Sequence, residues 1–184
     1  MFPRVMRTAV LMLSICSAMV AADRSGVWLD IPFAKQEKDG CGAASIAMVM
    51  QFWQQQQGRI GNWNSDATQI QQALFSDAAH GIYASAAERY FKQNGYRTFT
   101  FRGEWADLKQ HLEKGRPLIV ALRSGTSAPL HYVVVAGLDW EHAVVLINDP
   151  AQRKLLKEDC VRFEQEWSAA GSWTLLALPE AGRN

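Results

Sequence analysis

Apolar positions follow two different rhythms in the two halves of the chain. From Cys41 to about position 55, Ala44, Ala47, Met48 and Phe52 mark one helical face. Ile46, Val49, Met50 and Trp53 widen that face until few polar positions remain, which predicts a helix buried over most of its surface. Ahead of it, 27–32 reads as a short extended segment, with Pro32 holding Ile31 out of the helical region. A second helix is predicted to run to about position 75, capped by Ser65 or Asp66. A third covers 83–93 and closes on Asn94-Gly95; a fourth covers 105–114 and stops at Gly115, with Pro117 behind it. Gln54 to Gln57 reads as a solvated helix end.

Beyond position 96 the rhythm shortens. Strands are predicted at 97–101, 118–122, 131–136, 143–147 and 172–178, with 137–141 as a hairpin connection. A short helix over 161–169, with Asp159 as its N-cap, precedes the last strand. Helices first and a largely antiparallel sheet afterwards indicate an α+β fold rather than a doubly wound one. No repeat and no linker rich in Pro, Gly or Ser divides residues 23–184, which read as one domain.

The first 22 residues carry a different message. Arg4 and Arg7 form a basic start, 8–20 is apolar or small without charge, and Val20-Ala21-Ala22 places small residues just before Asp23. This is the three-part pattern of a secretory signal, and the apolar run is short for a membrane span. The alternative is an uncleaved N-terminal anchor. No later run of about 20 apolar residues occurs, so no membrane span is expected in the mature chain. The 184 residues include 19 Lys+Arg and 18 Asp+Glu, a formal charge of +1 that becomes −1 when Arg4 and Arg7 leave. A neutral balance without a basic run argues against a dedicated nucleic-acid binder. With 48% apolar residues and seven Trp, intrinsic disorder is excluded. Removal of the signal also takes Cys16, leaving Cys41 and Cys160. In an oxidising compartment the plain reading of such a pair is a disulfide; the alternative is a working thiol.

The stretch Asp39-Gly40-Cys41-Gly42-Ala43-Ala44 decides for the thiol. Cys41 stands where a loop becomes the first turn of a buried helix, whose free N–H groups and dipole favour the thiolate, the nucleophilic form. Gly40 and Gly42 on either side are expected to leave room for a substrate carbonyl. Of the four histidines, His131 opens an apolar strand, where rigid backbone would position a base. His80, His111 and His142 read as surface residues. Asn148-Asp149-Pro150 follows the next strand, so antiparallel pairing would bring Asp149 beside His131, where it could fix the imidazole tautomer. Taken alone, Asp-Pro is a turn starter. Gln36, five residues before Cys41, could join the Cys41 N–H around an oxyanion.

Gln36, the block Asp39-Gly40-Cys41-Gly42-Ala43-Ala44-Ser45, the block Leu130-His131-Tyr132-Val133-Val134-Val135-Ala136-Gly137 and Asn148-Asp149-Pro150 together resemble the bacteriocin-processing, double-glycine leader peptidases and their stand-alone relatives. The resemblance implies a papain-like cysteine peptidase fold, with an N-terminal helical half that carries the nucleophile and packs on a mainly antiparallel sheet. It also implies Cys41 as nucleophile, His131 as base, Asp149 as orienting carboxylate and Gln36 as oxyanion donor. No cofactor and no metal follow from it, since Cys and His are not in zinc spacing. The expected function is an exported (periplasmic or secreted) cysteine endopeptidase that cuts after small residues of the Gly-Gly type. Its partner would be a peptide or protein substrate, such as one of a secretion or fibre-assembly system. The same thioester chemistry would also serve an acyltransferase or amidase, and a leader-binding accessory without catalysis is the third reading. Cys160 matches no catalytic block and is expected to be a small packed residue, too far from Cys41 to bridge it.

Overall fold

A computed structural model of the chain describes residues 26–58, 63–125 and 127–180. The predicted export signal at 1–22, with Cys16, lies outside the described residues. The elements run β1 (Gly26–Trp28), α1 (Cys41–Gln56), α2 (Ala67–Leu74), α3 (Ala84–Gln93), β2 (Tyr96–Arg102), α4 (Trp105–Glu113), β3 (Leu118–Leu122), β4 (His131–Asp139), β5 (Val144–Asn148), β6 (Leu156–Asp159), α5 (Cys160–Ala169) and β7 (Trp173–Pro179). Each predicted helix is present within about two residues of its expected ends. Asp66 caps α2 by accepting from the Gln69 N–H, and Asp159 caps α5 by accepting from the Val161 and Arg162 N–H groups.

All strand pairings are antiparallel, in the order β2-β7-β3-β4-β5-β6, with β1 added beside β4. Side chains alternate across the sheet, and each face meets its own helices. Ile119, Val134, Ala136, Leu175 and Ala177 pack under α1, α2 and α3 with Ile46, Met48, Met50, Ile70 and Phe91. Leu118, Val120, Leu122, Val133 and Val135 face α4 and α5 through Leu108, Leu112, Phe163 and Trp167. The result is three layers, with the helix that begins at Cys41 buried along nearly its whole length.

Three local departures from the sequence expectation have physical causes. The 137–141 hairpin is not a turn at its start: Gly137, Leu138 and Asp139 stay in β4 because β1 pairs with them. Gly137 is required there, since a Cβ would lie 2.6 Å from the Val27 carbonyl oxygen and 2.7 Å from the Trp28 Cβ. A register shift between Val135 and Gly137 turns Leu138 to the same face as Val133 and Val135. The strand β6 shows no apolar alternation, because Leu-Lys-Glu-Asp carries three charges; it is a sheet edge, where charge guards against stray pairing. Gln54 is buried rather than solvated, and accepts a 2.9 Å hydrogen bond from the Ser65 hydroxyl.

Candidate active site

Cys41 is the first residue of α1. The approach is a tight loop: the Gly40 N–H donates to the Glu37 carbonyl at 3.0 Å, and Asp39 sits in the left-handed region at φ +56°, which Asp tolerates better than most residues. No side chain caps this helix start and no acidic residue occupies its first turn. The N-terminal N–H groups and the positive end of the dipole are therefore left facing the thiol. The flanking glycines serve a different purpose from the one expected. Both are buried. A Cβ on Gly42 would meet Ile82 at 3.2 Å and Tyr132 at 3.5 Å, and one on Gly40 would meet the Glu37 backbone at 3.1 Å. They let protein close around the helix start instead of holding space open for a substrate.

His131 and Asp149 come together through strand register. β4 and β5 pair with Val134 opposite Asn148, which places the start of one strand beside the residue after the other. The His131 Nε2 lies 2.8 Å from an Asp149 oxygen. The other ring nitrogen, Nδ1, is left for Cys41, whose thiol is within hydrogen-bonding reach of the ring. Burial works against a charged imidazole here. Hydrogen bonds to Asp149 and Cys41, and the negative charge of both, overcome it and push His131 up to about 9. Burial likewise opposes the Asp149 charge, yet His131, the Ala151 N–H and Gln152 hold its carboxyl below the usual carboxylate range. These two shifts describe one interaction seen from its two ends. Tyr132, next in the strand, is pushed up to about 12 by burial and by the charge of Cys41, so it remains a neutral phenol.

The segment 149–152 is both a turn and an acid. The Gln152 N–H donates to the Asp149 carbonyl at 3.0 Å, closing the turn. The Ala151 N–H donates to one Asp149 carboxylate oxygen at 2.9 Å and the Gln152 side-chain amide donates to the other at 2.6 Å. The same turn also mounts Gln36, whose backbone N–H donates to the Pro150 carbonyl at 2.9 Å. Gln36 lines a small pocket of about 40 Å³ with Gly40, Ala43 and Gln71, and its Oε1 is buried without a hydrogen-bond partner. Asn148, fully buried, ties the assembly to the N-terminal strap: its Nδ2 donates to the Ile31 carbonyl at 3.3 Å and its Oδ1 accepts from the Leu155 N–H at 2.9 Å.

Cys41, His131 and Asp149 therefore form one contiguous set, and Gln36 is anchored to the turn that carries Asp149. Cys160 is elsewhere. It opens α5 across the sheet from α1, and both cysteines are free thiols; burial, with Asp159 and Glu164 nearby, pushes the Cys160 thiol up. Of the other histidines, His142 is exposed and pairs with Asp139, and His111 is half-buried against Phe101. Sequence reasoning missed Gln152. The signal available was the spacing Asp-Pro-x-Gln, which puts the fourth residue of a turn back over the first.

Residues 28–174, which include all four predicted site residues, match the family described as Peptidase_C39 like. The chain belongs to that family. It is a cysteine peptidase. No curated protein matches it. The fold of this C39-like peptidase is shared with solved structures at low identity. One is the peptidase domain of Streptococcus ComA, a bi-functional ABC transporter involved in a quorum-sensing pathway: TM-score 0.62, 21% identity, 80% of this chain and 98% of that one covered. A double glycine motif protease from an AMS/PCAT transporter, solved with its leader peptide, gives TM-score 0.63 at 22% identity over 83% and 94% of the two chains. A putative C39-like peptidase from Bacillus anthracis gives 0.61 at 19% over 85% and 99%. Among the described residues no helix is long and apolar enough to cross a membrane.

Proposed function

We propose that this C39-like peptidase is exported and cleaves a flexible segment of a peptide or protein after paired small residues, with Cys41 as its nucleophile. The observation that carries the assignment of roles is the His131 Nε2–Asp149 contact of 2.8 Å, which leaves the opposite ring nitrogen to a thiol at a helix N-terminus. In this reading His131 has taken up the Cys41 proton, and the sulfur attacks the scissile carbonyl as the thiolate. The oxyanion is met by the Cys41 backbone N–H and the Gln36 amide. His131 returns the proton to the leaving amine, and a thioester remains on Cys41. Water, deprotonated by His131, then releases the acid product and restores the thiol. Asp149 stays ionised throughout and steadies the imidazolium.

Cleavage after small residues is supported by the leader-bound double glycine protease of the same fold. It draws no support from Gly40 and Gly42, which face protein. Export is supported by the basic, apolar and small-residue pattern of positions 1–22, and a periplasmic or secreted location would suit a substrate belonging to a secretion or fibre-assembly system. The full chain, profiled on a peptide library beside a Cys41→Ala control, is expected to cut after Gly-Gly or Gly-Ala. Bulky or charged residues immediately before the cut would overturn that specificity. Cleavage by the control would overturn the role of Cys41. The N-terminal sequence of the protein recovered from cell fractions tests export, with Asp23 the expected first residue.

A further inference from the structure

Asp149 is held by more than the histidine it orients. One carboxylate oxygen accepts from His131 Nε2 at 2.8 Å and from the Ala151 N–H at 2.9 Å; the other accepts from the Gln152 Nε2 at 2.6 Å. The Asp149 side chain is only 6% exposed, so water has little room to replace a lost donor. The turn does not need the Gln152 side chain to form. It is closed by main chain, from the Gln152 N–H to the Asp149 carbonyl at 3.0 Å and from the Asp149 N–H to the Arg153 carbonyl at 3.1 Å. Gln152 itself is exposed, with only its amide turned back to the carboxylate.

We propose that Gln152 is a positioning residue of the active site: its amide pins the second oxygen of Asp149 and so fixes the plane of the carboxylate against His131. The inference rests on Cys41 and His131 being the reacting pair. The terminal torsion of an Asp side chain is broad and two-fold, so donors on one oxygen alone leave the group able to swing. A donor on each oxygen removes that freedom, and the fixed carboxylate in turn fixes the imidazole that faces Cys41. The chemistry of the donor matters as well. A Lys or Arg at 2.6 Å would compete with imidazolium for the carboxylate charge, and a carboxylate would repel it. A neutral amide holds the oxygen and leaves the charge to His131.

The test needs no knowledge of the substrate. Iodoacetamide alkylates the thiolate, the form that Cys41 takes when its proton passes to His131 in the proposed mechanism. Alkylation of the full chain at pH 6 is followed by mass spectrometry separately at Cys41 and at Cys160, which serves as the internal reference. Gln152→Met, of similar length but without a donor, is expected to slow Cys41 about tenfold, the scale of a lost hydrogen bond to a charged group. The Cys160 rate stays unchanged, while the lost donor to a buried carboxylate lowers the melting temperature by a few degrees. Gln152→Glu, of the same size, is expected to slow Cys41 further, and carries the comparison should methionine disturb folding. Wild-type Cys41 rates in both variants would overturn the inference. The His131→Ala variant separates the two readings. If it slows Cys41 while the Gln152 variants do not, only the role of Gln152 fails; if it leaves Cys41 unchanged, the reacting pair fails and this inference with it.

Discussion

Removing the Asp149 carboxylate should move the alkaline limit of activity, and the structure sets the size of the move. His131 is pushed from 6.5 to about 9, a net rise of about 2.5 pH units achieved against burial. Asp149 provides the stronger of the two hydrogen bonds and the stronger of the two charges acting on the ring, so it carries at least half of the attraction. That attraction exceeds the net rise, because burial has to be offset first. Asp149→Ala therefore removes the larger share of the attraction and lowers His131 from about 9. The imidazolium is the acid that protonates the leaving amine, so activity is lost as pH rises through its value. The wild type should hold its rate to about pH 9 and the variant should decline well below that. The assay is kcat/KM against pH on a Gly-Gly peptide. Stability gives a second reading. A raised folded-state value means that His131 stabilises the fold fully below about pH 6.5, and that this contribution is lost as pH rises through about 9. Urea titrations at pH 6 and 9.5 should therefore show a smaller alkaline loss in Asp149→Ala than in the wild type. An unchanged alkaline limit in the variant would refute the reasoning, since His131 would then owe its charge to something other than Asp149.

Other outcomes are expected. Gln36→Ala should lower kcat by about 10²–10³ with a smaller change in KM, the scale of a lost oxyanion donor; an equal loss confined to KM would place Gln36 in substrate binding instead. Gly137→Ala should destabilise the fold by roughly 1–3 kcal/mol, because its Cβ would lie 2.6 Å from the Val27 carbonyl oxygen. The folded fraction should keep wild-type turnover, as β1 joins β4 at the end away from His131; thermal melts with active-site titration decide this.

What was legible in the chain was whatever depends on neighbours in sequence. Cys41 opens a helix whose apolar positions leave little to solvent, so both the helix and the place of the thiol at its start could be read directly. The run Leu118–Leu122 is a strand because it is short, apolar and bounded by Pro and polar residues. The pairing of His131 with Asp149 lay one step further off. It required only that two adjacent strands run antiparallel, and the register of Val134 with Asn148 fulfilled that requirement. What tertiary structure alone decided concerns contacts between segments that sequence keeps apart. Gly40 and Gly42 looked like an opened approach to the thiol, but glycine beside a nucleophile reads the same whether substrate or protein fills the space, and here Ile82, Tyr132 and the Glu37 backbone fill it. Gly137 looked like a turn until β1, more than a hundred residues earlier, came to lie against it. Gln152 carries only the spacing Asp-Pro-x-Gln as a sign of its role, because an exposed polar residue in a turn is ordinary until its amide is found 2.6 Å from the carboxylate that orients the base. Local sequence specifies which residues can do chemistry and which elements carry them; the distances that combine them arise from strand register and close packing, to which every distant segment contributes.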